Sequence, residues 1–114
     1  MTRPLHFRWF FRALLFFCIF FSAIVVAQGV QTQSRQLWQL LDYIAVDYPG
    51  AVENGQIISE TEYAEMKEFG EVAQFELDNL PAHPDKAGLL GQAKALQQKI
   101  QSKSNPAQVA EAAR

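Results

Sequence analysis

Apolar residues recur at three- and four-residue steps in each segment after residue 34, and this periodicity constrains the possible fold more than any other feature. Such steps place side chains on one face of an α-helix, whereas a half-buried strand would need strict alternation. Pro49, Pro84 and Pro106 separate the periodic segments, because proline starts a helix or prevents its continuation. The sequence therefore predicts an all-α fold, a small helical bundle of three helices plus an incomplete fourth, behind an N-terminal hydrophobic helix.

The first 27 residues have the pattern of a secretory signal peptide. A basic region with three arginines and no acid precedes an apolar run over residues 13–26, and Ala27 completes a small-residue cleavage site. We expect cleavage after Ala27 and a periplasmic location. The alternative is an uncleaved anchor in the inner membrane, because residues 9–27 approach the roughly 20 apolar residues that span a bilayer.

Without this leader the chain is acidic and has no cysteine. Residues 28–114 carry seven lysines and arginines against all twelve acids, a formal charge of −5, which excludes the basic surface that nucleic acid requires. Cys18 lies in the leader, so the exported part cannot form a disulfide, a thiolate zinc site or a covalent haem attachment. With His83 as its only histidine and no phosphate-binding glycine motif, we expect no enzymatic activity.

These patterns divide the chain into four segments. We interpret them in order as a signal peptide (1–27), a polar linker without periodicity (28–34), an acidic helical domain (35–104), and the start of a further helix, predicted to be truncated (105–114).

The first helix is predicted over about residues 35–47 and ends before Pro49 and Gly50. Its apolar face consists of Leu37, Leu40, Leu41, Ile44 and Tyr48, with Trp38 beside it. In the next segment Asn54 and Gly55 favour a tight hairpin turn. Because the flanking runs are short for a stable pair of strands, we predict an ordered loop there and keep the hairpin as the alternative.

Ser59 begins the clearest helix. The sequence Ser-Glu-Thr-Glu matches a capping box, in which the Ser59 hydroxyl accepts from the amide of Glu62 and the Glu62 carboxylate accepts from the amide of Ser59. The helix is expected to stop near Asn79. Its predicted buried stripe, which should meet the apolar face of the first helix, is Tyr63, Met66, Gly70, Ala73, Leu77 and Leu80.

A third helix is predicted from about Pro84 to Ser102. Its inner face is expected to contain Leu89, Leu90, Ala93, Leu96 and Ile100. The sequence Ser-Asn-Pro that ends at Pro106 breaks this helix, and a fourth begins after it.

Eleven of the twelve acidic residues fall between Asp42 and Asp85, a stretch in which Lys67 is the only base. Carboxylate oxygens at this density suit a hard cation such as iron, manganese, calcium or magnesium. Asp47 lies at a helix C-terminus, where the dipole disfavours negative charge. It should therefore have a partner, which could be the Tyr43 hydroxyl four residues earlier, an amide of the following turn, a base or a bound cation.

Glu62 and Glu65 border the core stripe of the second helix at 100° per residue. Together with the two aspartates of the first helix they form the predicted metal site: Asp42, Asp47, Glu62 and Glu65. Iron is the metal that we expect there. A solvated acidic face, in which Glu62 only caps the helix, is the alternative.

Two strings resemble the periplasmic N-terminal region of bacterial high-affinity iron permeases in which an exported helical segment and a cytochrome c domain precede the permease. They are Leu-Leu-Asp-Tyr-Ile-Ala-Val-Asp-Tyr-Pro-Gly-Ala-Val at residues 40–52 and Glu-Tyr-Ala-Glu-Met-Lys-Glu-Phe at residues 62–69. The resemblance covers about residues 37–114. It implies a role in iron uptake across the inner membrane, with an iron permease and/or a cytochrome c domain as partner.

The chain lacks Cys-x-x-Cys-His and the Arg-Glu-x-x-Glu motifs of the permease, so electron transfer and transport do not carry over to it. Three hypotheses remain: an exported accessory module that handles iron through carboxylates, a non-catalytic helical interaction domain, and a truncated remnant of such a permease. Carboxylates that converge from two helices would favour the first, and acids that point outward would favour the second.

Overall fold

The computed structural model describes residues 28–114, of which Gln33–Arg114 belong to one compact unit. The described chain forms α1 (28–47), a 3₁₀ turn (Tyr48–Gly50), β1 (Val52–Glu53), β2 (Gln56–Ile57), α2 (Glu60–Asp78), α3 (Lys86–Gln101) and α4 (Pro106–Ala112). The prediction of a small helical bundle is confirmed. The predicted signal peptide lies outside the described residues, and none of the helices within 28–114 is long and apolar enough to cross a bilayer.

Residues 28–34, which we predicted to be a linker, are helical. Their polar side chains produce no apolar periodicity, but an exposed helix needs none, and glutamine is a good helix former. The Thr32 hydroxyl donates to the main-chain carbonyl of Gln28 at 3.0 Å, a bond that threonine commonly makes within a helix. The periodicity therefore located the packed face of α1 but not its first turns.

The segment between α1 and α2 is a hairpin, so our preference for an ordered loop without paired strands is corrected in favour of the alternative. β1 and β2 pair in antiparallel fashion, with Val52 opposite Ile57. Asn54 and Gly55 have φ values of 51° and 75°, as a two-residue hairpin turn with two positive φ angles requires. Val52 is fully buried, so packing against the rest of the domain stabilises strands that would be too short alone.

One of the two hydrogen bonds predicted for the capping box of α2 is present. The Ser59 hydroxyl accepts from the amide of Glu62 at 3.3 Å. The reciprocal bond is replaced, because the Ser59 amide donates to the carbonyl of Ala51 at 3.4 Å. The predicted stripe is confirmed, since Tyr63, Met66, Gly70, Ala73 and Leu77 are buried and Leu80 is partly buried.

The core contains residues from all four helices and from the hairpin. Its fully buried large side chains are Ile44, Tyr48, Val52, Met66, Leu96, Ile100 and Val109. Val109 belongs to α4, so the segment that we separated at residue 105 packs into the same core. Leu40 is only half-buried and lies outside the core cluster, and Ile44 anchors α1 instead. Among the described residues, the core cluster lies between 44 and 113.

α2 and α3 approach closely at Gly70. A Cβ atom there would lie 3.3 Å from Cγ of Gln97, so a residue without a side chain suits this crossing. The Gln97 amide donates to the Gly70 carbonyl at 3.0 Å and to the Gln74 side-chain oxygen at 2.6 Å. These bonds hold α2 and α3 side by side. The position of the two helices in turn determines the shape of the surface on either side of their crossing.

Candidate functional site

The four predicted metal ligands lie on α1 and α2. Asp42, Asp47 and Glu65 are exposed, and Glu62 is partly buried at the N-terminus of α2. Among residues 28–114, the structure brings together no group of three or more histidine, cysteine, aspartate or glutamate side chains that could hold a metal ion. A site made of these residues would therefore need further ligands from a partner or a rearrangement of the helices.

The structure gives Tyr43 a role different from the predicted contact with Asp47. Its ring lies 6.1 Å from the ring of Phe69, centroid to centroid, in a tilted arrangement that aromatic pairs favour. Asp47 is the residue before the 3₁₀ turn and forms no side-chain capping bond to it. An Asx turn would need the amide two residues after Asp47, and that residue is Pro49, which has no N–H.

Two tyrosine hydroxyls form hydrogen bonds to main-chain carbonyls at one end of the bundle. The buried Tyr48 hydroxyl donates to the carbonyl of Ser104 at 2.9 Å, and the Tyr63 hydroxyl donates to the carbonyl of Ile100 at 3.1 Å. Burial, and secondarily the neighbouring Tyr63, raises the pKa of Tyr48 to about 12. The Tyr63 hydroxyl thus adds a second donor to the Ile100 carbonyl, which also accepts from the Lys103 amide at 3.0 Å. Tyr48 bonds a carbonyl just beyond the end of α3. They are core residues, as the sequence predicted.

Toward the other end of α2 and α3, the helices leave an open apolar groove with a volume of about 350 Å³. We name it the leucine groove. Its lining is Ser34, Leu37, Trp38, Leu41, Ala73, Leu77, Leu80, Leu89, Gln92, Ala93, Leu96, Ala112, Ala113 and Arg114. Trp38 is 64% exposed and Leu89 is 45% exposed, so both keep a substantial apolar surface in contact with solvent. Such a volume is within the range of roughly 300–1,000 Å³ that is typical of binding pockets.

The lining of the leucine groove is mainly apolar. Among the described residues that line it, Arg114 is the only charged one, and Ser34 and Gln92 are the only other polar ones. Its leucine and alanine side chains offer an apolar surface of the kind that accepts side chains of another protein. The groove can therefore bury apolar groups that carry little charge.

This groove was not predicted from the sequence, although most of the residues that line it were placed on apolar helix faces. Leu89 was predicted to lie on the inner face of α3, and its exposure corrects that prediction. Trp38 was placed beside the apolar face of α1 without a function. A tryptophan next to an apolar helix face was the one available signal, because tryptophan is enriched at protein interfaces.

Comparison with known proteins identifies one family. Residues 26–114 match the model of the iron permease-associated 4-helix bundle domain. No curated protein and no solved structure shows significant similarity to the chain.

Proposed function

Because the chain belongs to the family of iron permease-associated 4-helix bundle domains, we propose that it is a non-catalytic accessory domain of an iron-uptake system that docks on the permease through the leucine groove. The observation that carries this proposal is the groove itself, with the exposed Trp38 and Leu89 at its edge. Exposed apolar patches of this kind mark interaction sites in soluble domains.

The energetics of the exposed side chains support docking. Removing a large apolar side chain from water contributes about 1.5–3 kcal/mol, and tryptophan is among the residues that contribute most to interfaces. In the isolated domain Trp38 is 64% exposed and Leu89 is 45% exposed, so part of that stabilisation is not yet realised. A partner that covers both would gain that stabilisation on binding.

The place of docking in the cell follows from the leader. Residues 1–27 have the signal-peptide pattern, which supports export to the periplasm, on the outer side of the inner membrane. The resemblance of residues 40–69 to permeases with a cytochrome c domain supports that domain as a second partner. If the leader is not cleaved, it would also attach the domain to the membrane in which the permease lies.

Direct handling of iron by Asp42, Asp47, Glu62 and Glu65 remains the second hypothesis. The density of carboxylates around these residues supports it, since hard oxygen ligands suit iron. Calorimetric titration of residues 28–114 with ferrous iron tests it directly. Binding that is weakened by Asp47→Asn and Glu65→Gln, but not by Glu111→Gln, would support a carboxylate site, whereas equal heats for all variants would exclude it.

Docking is tested by tryptophan fluorescence. Trp38 is the only tryptophan of residues 28–114, and its indole should move from water into an apolar contact when the groove is covered. We expect a saturable blue shift of its emission when iron permease in lipid nanodiscs is added. Leu89→Gln should weaken binding, whereas the matched control Ile58→Gln, exposed to a similar extent but outside the groove, should not. No shift, or equal binding by both variants, would contradict the proposal.

A further inference from the structure

A second surface, on the outer side of α2, combines exposed apolar side chains with unpaired acids. Phe75 is 66% exposed and Val72 is 36% exposed, and neither lines the leucine groove. They are three residues apart and therefore adjacent on the helix surface. The core residues Ala73 and Leu77 of the same helix point inward. Phe75 and Val72 thus lie on the solvent-exposed side of α2.

Carboxylates surround these two side chains. Helical spacing places Glu68 and Glu76 one turn from Val72, and Glu71 and Asp78 one turn from Phe75. We name the six residues the acidic-aromatic face: Glu68, Glu71, Val72, Phe75, Glu76 and Asp78. Three of its four acids are exposed, and Glu76 is partly buried.

None of these acids has a lysine or arginine within 4.0 Å among the described residues, although Lys67 is four residues before Glu71 and lines a small cleft with it. Within residues 28–114, the one pair of acidic and basic side chains within 4.0 Å of each other is His83 and Asp85, in the loop before α3, and it is an ion pair only when His83 is protonated. Lys67, the only base of α2, lies over the ring of Tyr63 at 5.0 Å from its centroid. Lys86 reaches the end of α2 but bonds to the main-chain carbonyls of Asp78 and Leu80.

We propose that the acidic-aromatic face binds a basic amphipathic segment of a partner protein. Apolar side chains of the segment would cover Val72 and Phe75, and its lysines or arginines would face the four carboxylates. Charge complementarity selects this occupant, because opposite potentials steer and orient association. An anionic membrane surface, a nucleic acid or a second copy of the same face would each be repelled by these charges.

This face is separate from the leucine groove, so it can be tested without assuming that the groove docks on a permease. The probe is a synthetic helical peptide of leucines and lysines, and its control is the same peptide with glutamates in place of lysines. Each is titrated into isotopically labelled residues 28–114, which contain every residue of the described core cluster, and binding is followed by amide NMR shifts. We expect the lysine peptide to shift residues 68–79 and to bind more weakly as salt increases.

Paired variants distinguish direct contact with the acidic-aromatic face from an effect of the domain's overall negative charge. Phe75→Ser should weaken binding of the lysine peptide by about tenfold or more, as loss of a central interface residue does. Ile58→Ser, exposed to a similar extent on the hairpin side, should leave it unchanged. The double variant Glu68→Gln with Glu71→Gln should reduce the dependence of peptide binding on salt concentration. The control double variant Glu53→Gln with Glu111→Gln should not.

Three results would overturn the proposal. They are shifts that map outside residues 68–79, equal binding of the lysine and glutamate peptides, or equal binding by Phe75→Ser and Ile58→Ser. Binding of phosphatidylglycerol vesicles through residues 68–79 would also overturn it in favour of a membrane. Leu89→Gln leaves this face intact, so loss of permease docking in that variant with retained peptide binding would show that the two surfaces act independently.

Discussion

Tyr48 permits a test of the packing account because one side chain both fills the core and forms a long-range hydrogen bond. It is fully buried, and its hydroxyl donates to the carbonyl of Ser104 at 2.9 Å, 56 residues further along the chain. Tyr48→Phe removes only the hydroxyl. Ser104 is partly exposed, so water can replace the lost donor, and we expect a loss of about 0.5–1.5 kcal/mol. Tyr48→Ala also removes the ring and should cost about 3–5 kcal/mol.

The assay is urea unfolding of residues 28–114 followed by far-ultraviolet circular dichroism. Tyr43→Phe is the matched control, because Tyr43 is 56% exposed and its hydroxyl forms no intramolecular bond among the described residues. The urea midpoint should fall for the Tyr48 variants with little change in slope, since the surface exposed on unfolding is nearly the same. Equal stability of Tyr48→Phe and Tyr43→Phe, together with a loss below about 1 kcal/mol for Tyr48→Ala, would refute the packing described.

The same phenol makes stability depend on alkaline pH. Burial, and secondarily Tyr63, raises the pKa of Tyr48 from 10.0 to about 12. The unfolded state therefore loses this proton at a lower pH than the folded state. The contribution is fully present below pH 10.0 and is lost as the pH rises through about 12. Tyr48→Phe should remove this part of the pH dependence, and an unchanged profile would refute the assignment.

Three further changes test individual elements, each by the same urea assay. Ile44→Ala should cost about 2–5 kcal/mol, because Ile44 is fully buried at the centre of the core. Ser59→Ala should cost about 0.5–2 kcal/mol through loss of the α2 cap. Gly55→Val should cost about 1–3 kcal/mol, because Gly55 has a φ of 75° that a β-branched residue adopts only under strain. A loss of stability below about 0.3 kcal/mol in any of these variants would contradict the role assigned to that residue.

Local signals predicted much of the fold. The stripe from Tyr63 to Leu77 and the Ser59 cap were predicted because both depend on residues within one helix. The hairpin was misjudged because its stability comes from Val52 in the core, and strand length alone could not show that. The Ser59 amide was assigned to Glu62 because nothing local indicated that the Ala51 carbonyl would take it.

The candidate site was less predictable, because it too depends on packing between elements that are distant in the sequence. The leucine groove depends on how far four helices separate at one end, and no single helix contains that information. Leu89 shows this: its spacing places it on the inner face of α3, yet it stays 45% exposed at the groove. The acidic residues were conspicuous in the sequence, but their density does not determine whether they converge. The structure spreads the four predicted ligands over two helices, three of them exposed.

The most direct test of the central claim is site-specific photocrosslinking in cells that produce the chain together with the iron permease. A photoreactive amino acid replaces Leu89 in the leucine groove or, as the control, Ile58 outside it, two positions of similar exposure. The account predicts a crosslink to the permease from position 89 and none from position 58. No permease crosslink from position 89, or equal crosslinks from both positions, would contradict docking through the groove.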